Sequence, residues 1–199
     1  MLEPSAAKSG SRRDRSATVV QGFVPLLFAG MCWHWARWGI AFLSAFWVNG
    51  ITDSPRMVQL TGTTMWAPLL LGGALGGVIA DRFDRLRTVR LQLVLLVPAV
   101  VIVGVLELND SLRLWVIYPF LLLAGVGWVG DMTSRRALVF ELVGNQRLDN
   151  AMAYESFALA TGVAVGNLIG GSLAQNFGVG EGFLVVAGLL IVGLIALNW

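Results

Sequence analysis

Apolar residues fall into six long runs along the chain, each separated from the next by a short polar turn. A membrane-spanning helix needs about 20 mostly apolar residues. The runs at 20–48, 56–80, 88–107, 113–132, 150–175 and 181–198 are of that order and predict six transmembrane helices. Between them lie polar turns at 49–55, 81–87, 107–111, 133–149 and 175–180. Residues 1–17 are polar and basic and are read as a disordered cytoplasmic tail, and 18–199 as one transmembrane domain. The fold class that follows is an all-α membrane protein.

Composition supports this reading. Of 199 residues, 56% are hydrophobic and 13% charged, against ~25% charged in an ordinary soluble domain. The bilayer is therefore the expected partner. The net charge is only +2, which argues against a nucleic-acid partner. The lone Cys32 lies in an apolar run; it has no internal disulfide partner and no metal-ligand spacing around it. A signal peptide is not indicated, because the first apolar run is too long, contains His34 and Arg37, and ends in no small-residue cleavage site.

The arginines set the orientation. The N-terminal tail holds four basic residues, the 82–90 segment four and the 135–147 segment three, while only Arg56 and Arg113 fall on the other side. Eleven against two is a strong positive-inside bias, so both termini are expected to be cytoplasmic. The last basic residue, Arg37, lies inside the first helix.

The stretch Gly72–Arg90, GGALGGVIADRFDRLRTVR, joins a glycine-rich helix to an acidic and arginine-rich turn. It resembles the loop between the second and third helices of major facilitator superfamily transporters: Gly, three residues, Asp, Arg/Lys, any residue, Gly, Arg, Arg/Lys. Gly77, Asp81, Arg82 and Arg85 fall on that pattern; Asp84 and Leu86 depart from it. The ADRFDR variant is similar to the enterobactin-exporter and drug-efflux branch, as is RRALVFELVGNQRLDNAMAYES ahead of the fifth span. The resemblance implies the N-terminal six-helix half of a transporter, built from two inverted three-helix repeats. It also implies a plasma (bacterial inner) membrane location and a second six-helix half, as the missing C-terminal half or as another chain. A pair between Arg85 and Asp131 would hold one conformation, and Asp81 would face a helix N-terminus in the second half.

Within the predicted spans, His34 and Arg37 are three residues apart and share a helix face. An arginine at mid-membrane turns inward, toward a partner or a wet cavity. Arg37 could receive an anionic substrate group with His34 as a titratable neighbour; alternatively, it could form a structural ion pair or stack on Trp33. Glu155 is placed inside the fifth helix, where a carboxyl suits proton coupling; an ion pair with Arg135, Arg136 or the first helix is the other reading. Trp33, Trp35, Trp38 and Trp66 are interior to their spans and could line a substrate cavity or face lipid and neighbouring helices. Trp47, Trp115 and Trp199 fall near predicted boundaries, where an aromatic belt forms.

In the fifth span, Gly162, Gly166 and Gly170 form a stripe, with Gly171 beside it. Plain helix packing explains the stripe. It also resembles the antiporter signature of the family, with Asn167 in place of the usual proline and Ala153 in place of an earlier glycine. There is no phosphate-binding loop, metalloprotease motif or nucleophile elbow. The chain is therefore not expected to be an enzyme or to need a cofactor or metal. The expected function is secondary active transport, as a proton-coupled exporter of a small amphipathic molecule working by alternating access. The alternatives are a partner-requiring or non-transporting six-helix membrane protein and, ranked lower, a membrane-embedded enzyme.

Overall fold

The computed structural model describes residues 16–80 and 84–198, and at 19, 71 and 73–80 it describes the backbone alone. The described residues form six long helices: α1 (Phe23–Thr52), α2 (Pro55–Ala80), α3 (Arg85–Leu108), α4 (Leu114–Val143), α5 (Leu148–Asn176) and α6 (Val179–Ala196). Single 3-10 turns stand at Ala17–Val19 and Asn145–Arg147. Among the described residues, four stretches are long and apolar enough to cross a membrane: Arg85–Leu108, Leu114–Val143, Asn145–Asn176 and Val179–Ala196. The 30-residue α1 has the length, but His34, Arg37 and its tryptophans dilute its apolar character. The 26-residue α2 is also long enough, and its last turns are described by their backbone alone.

Local chemistry sets the helix ends. Asp53 takes a left-handed conformation (φ 46°) and donates its N–H to Asn49 O, closing α1. Pro55 opens α2, at the position where a missing N–H costs nothing. The Asp84 carboxylate caps α3 by accepting from the Arg87 N–H at 2.7 Å. Gly144, at φ 66°, ends α4.

The first part of the polar turn expected at 133–149 is, through Val143, three more turns of α4. Ser134, Arg135, Val139 and Val143 are buried there, whereas Met132, Arg136, Phe140 and Glu141 are exposed. These charged residues belong to an amphipathic helix end, which the drop in hydropathy alone does not distinguish from a loop. At the other boundary, residues 1–15 of the expected tail lie outside the described residues. Ala17, its last residue, is buried, and its N–H donates to Asn150 Oδ1 at 2.8 Å.

The helices pack as two exchanged triplets. α1 lies mainly against α5 and α6, α4 mainly against α2 and α3, and α3 against α6, with α1 and α4 meeting at the centre. Swapping α1 with α4, α2 with α5 and α3 with α6 maps this set of contacts onto itself. The exterior is apolar: Leu70 is 85% exposed, Trp115 77% and Leu168 70%. Side chains of this size presented so widely mark a surface that meets lipid or another protein rather than water. Together with the apolar helices, they make this a multi-pass membrane protein.

Close approach of α5 to α1 depends on glycine. A Cβ on Gly162 would lie 2.6 Å from the His34 Cβ, and one on Gly166 would lie 2.6 Å from Trp35 O and the Trp38 Cβ. At Gly170 the nearest atom would be the Phe42 Cβ, at 3.2 Å. Gly171 has ordinary clearance from the Phe42 ring, at 3.4 Å.

Candidate functional site

The inner faces of α1, α2 and α4 converge on Arg37. Its side chain is buried, and its guanidinium carbon sits 4.4 Å from the Trp128 ring centre, 4.9 Å from Trp38 and 5.8 Å from Trp66. These distances are within cation–π range. The rings also pack on one another: Trp66 meets Trp128 edge to face at 4.2 Å, and Trp38 is tilted against Trp66 at 6.3 Å. Among the described residues no carboxylate pairs with Arg37, and its Nε is buried without a hydrogen-bond partner. Trp66 is 40% exposed, so the cage has a surface-facing wall on α2.

Among the roles its sequence position allows Arg37 is stacking on Trp33. The rings are instead Trp38, Trp66 and Trp128. Trp33 is fully buried, and Gly127 of α4 approaches it with room for a Cβ at 3.7 Å. Trp35 bridges to α5 through Nε1, which donates to Thr161 Oγ1 at 3.4 Å. Trp47, placed near a boundary by its sequence position, is buried, whereas Trp115 is exposed. Trp199 lies outside the described residues.

One turn from Arg37 toward the arginine-rich end, His34 is buried with Nδ1 unpartnered. Asp131, Arg135 and Arg37 are the charges that act on it. Beyond it lies a buried ion pair within α4. Arg135 Nη2 donates to Asp131 Oδ1 at 2.7 Å, and Arg135 Nε donates to both carboxylate oxygens at 3.0 and 3.1 Å. Gln92 Nε2 of α3 donates to Asp131 Oδ1 at 2.8 Å. Arg135 Nη1 donates to Leu26 O of α1 at 3.0 Å, passing over Gly30, where a Cβ would lie 2.9 Å from Nη1. The pair thus ties α1, α3 and α4 together.

The expected pairing of Asp131 with Arg85 is therefore corrected. Arg85 binds Glu141 through Nη1, and Asp131 is taken up by Arg135 and Gln92. The reason is helical spacing: Asp131 and Arg135 are four residues apart with the acid first, the favourable order on one helix. Of the other loop-signature positions, Asp81 and Arg82 lie outside the described residues, and Gly77 lies in the stretch described by its backbone alone.

Glu155 of α5 is half-buried, with Oε1 buried and unpartnered. It makes none of the ion pairs among the described residues. Arg135, Asp131 and Arg136 are the charges that act on it. His34, Arg37, Arg135 and Glu155 thus all feel the Asp131 carboxylate within the bundle. Gln92 and Trp128 carry no motif that marks them as site residues. The i,i+4 relation of Asp131 and Arg135 was the available signal for the pair, whereas Gln92 and Trp128 reach the site only through packing between helices.

No group of three or more metal-ligating side chains occurs among the described residues. The arrangement is a desolvated cation held among three aromatic faces. No curated protein matches the sequence. The family model described as transmembrane secretion effector matches residues 23–199. The chain therefore belongs to the transmembrane secretion effectors, a family of major facilitator superfamily membrane transporters.

Proposed function

We propose that this chain forms the N-terminal six-helix half of a proton-coupled exporter of small amphipathic molecules. In this reading α1 and α2 cross the membrane with the other four helices. A second six-helix half, supplied by further sequence or by another chain, completes the path, and the two halves rock about a mid-membrane site. The arginine-rich end is cytoplasmic, in a bacterial inner membrane.

The observation that carries the proposal is Arg37. A guanidinium buried in a membrane protein is normally neutralised by a partner or faces a wet cavity. Arg37 has no carboxylate partner among the described residues and stands among three indoles. A substrate with an anionic group and an aromatic body satisfies both features. Glu155 and His34, each with an unpartnered buried atom, are the proposed proton carriers.

The test is a proton-flux assay on the complete transporter in sealed vesicles with an imposed pH gradient. A panel of anionic aromatic amphiphiles should include compounds that release protons through the wild type, with Arg37→Ala and Glu155→Gln silent. Absence of any proton- or substrate-dependent flux from the wild type would overturn the proposal.

A further inference from the structure

The three indoles around the Arg37 guanidinium are not held alike. Trp128 is buried. Trp38 is fixed at its base, since a Cβ on Gly166 of α5 would lie 2.6 Å from the Trp38 Cβ, and its Nε1 is buried. Trp66 is the outermost ring, 40% exposed. It also stands farthest from the guanidinium carbon, at 5.8 Å against 4.4 and 4.9 Å. Its closest ring contact is the edge-to-face one with Trp128, an interaction of modest strength. Arg37 is only 3% exposed, so an incoming group reaches it only if a ring of the cage moves.

The backbone that carries Trp66 is pinned, and movement falls to the side chain. A Cβ on Gly125 of α4 would collide with Met65 O and lie 3.0 Å from Pro68 Cγ. The two helices therefore touch on both sides of Trp66 in sequence. In a helix a long side chain can cover the turn N-terminal to its own Cα, and residues four apart lie one above the other. For Trp66 that neighbour is Gly62, which is exposed. Among the described residues, a Cβ at Gly62 would meet no atom within 4 Å. The Trp66 ring thus rests on the cage, with bare helix surface one turn away to receive it.

We propose that Trp66 is the lid of the Arg37 cage. Its ring covers the guanidinium in this structure and swings about its own side-chain bonds onto the surface at Gly62. The swing gives up one cation–π contact, and a charge-assisted hydrogen bond from the guanidinium to an anionic group replaces it. The lid itself rests on packing alone; its use in admitting substrate rests on the reading of Arg37 proposed above.

The test uses the full chain in phosphatidylcholine vesicles and phenylglyoxal, a small dicarbonyl that modifies guanidinium groups. Mass spectrometry follows Arg37 against the exposed Arg113. Wild-type Arg37 should react slowly but measurably. A minor conformer is ordinarily ~0.1–10% populated, so Trp66→Ala should raise the Arg37 rate about tenfold or more. Gly62→Leu fills the receiving surface without touching the cage and should lower the rate several-fold below wild type. It replaces an exposed glycine by a better helix former, so it decides the question even if Trp66→Ala misfolds. An unchanged rate in Trp66→Ala, a wild type that does not react at all, or equal rates in the wild type and Gly62→Leu would each overturn the lid. Protection by naphthalene-2-carboxylate separates the two readings. If Trp66→Ala opens Arg37 and this anion gives no protection, the lid stands and substrate recognition by Arg37 falls.

Discussion

Asp131 and Arg135 pair at 2.7 Å inside α4, each with only 2–3% of its side chain exposed. Taking two charges out of water is expensive, so such a pair holds only when its remaining lone pairs and protons are also satisfied. Gln92 and Leu26 O meet that condition from α3 and α1. Breaking the pair from one side should therefore be far worse than removing it whole. Asp131→Asn strands the Arg135 charge and is expected to cost ~3–5 kcal/mol. The double change Asp131→Leu with Arg135→Met should cost clearly less than the sum of the two single changes. Thermal unfolding of the four proteins in one detergent measures this coupling directly.

The Arg85–Glu141 pair is predicted to behave differently. Its side chains are 36% and 54% exposed, so water and salt screen it. Exposed pairs are worth ~0–1 kcal/mol. Glu141→Gln should shift stability by less than ~1 kcal/mol, and the shift should shrink as ionic strength rises. A loss comparable to that of Asp131→Asn would show that Arg85, and not Arg135, holds this end of the bundle together.

These two pairs mark the limit of what the linear sequence discloses. Apolar runs disclose the helices, because a bilayer demands length and apolarity from each span separately. The glycine stripe at Gly162, Gly166 and Gly170 is also legible, since spacing of four keeps one face bare whatever lies opposite it. Which charge meets which is a property of two helices at once. Asp131 has Arg85, Arg135 and Arg136 within reach in sequence terms, and helix rotation makes the choice. The extension of α4 through Val143 was hidden for a related reason: an amphipathic helix end and a polar loop have similar composition. Trp128 and Gln92 carry no local signal, because each matters through residues 39 or more positions away.

Glycine positions give a graded prediction. A Cβ at Gly166 would meet Trp35 O and the Trp38 Cβ at 2.6 Å, whereas at Gly188 nothing lies within 4 Å. The first contact is partly backbone and cannot swing away. Gly166→Ala should force α1 and α5 apart at ~1–3 kcal/mol, the range of overpacked cores. Gly188→Ala, in α6, should be neutral or slightly stabilising, because alanine is the better helix former. Thermal midpoints of the two variants should differ by several degrees, with Gly166→Ala the lower.

If the tryptophan cage recognises substrate as proposed, stability and function separate at one residue. Arg37 is a buried charge that makes no ion pair among the described residues; attraction to three indoles and the more distant Asp131 carboxylate offset part of its desolvation. A packed apolar side chain of similar length removes that desolvation altogether. Arg37→Met is therefore expected to hold or raise the thermal midpoint, the usual trade where a binding group is kept at the expense of stability. The same change should abolish substrate-dependent proton flux. Arg37→Lys keeps the charge but loses the flat face that stacks on an indole, so it should retain the fold and lower apparent substrate affinity by about tenfold or more. If Arg37→Met instead unfolds the bundle, the guanidinium is a structural keystone and the cage is not a recognition site. If it folds and transports normally, substrate recognition lies elsewhere in the bundle.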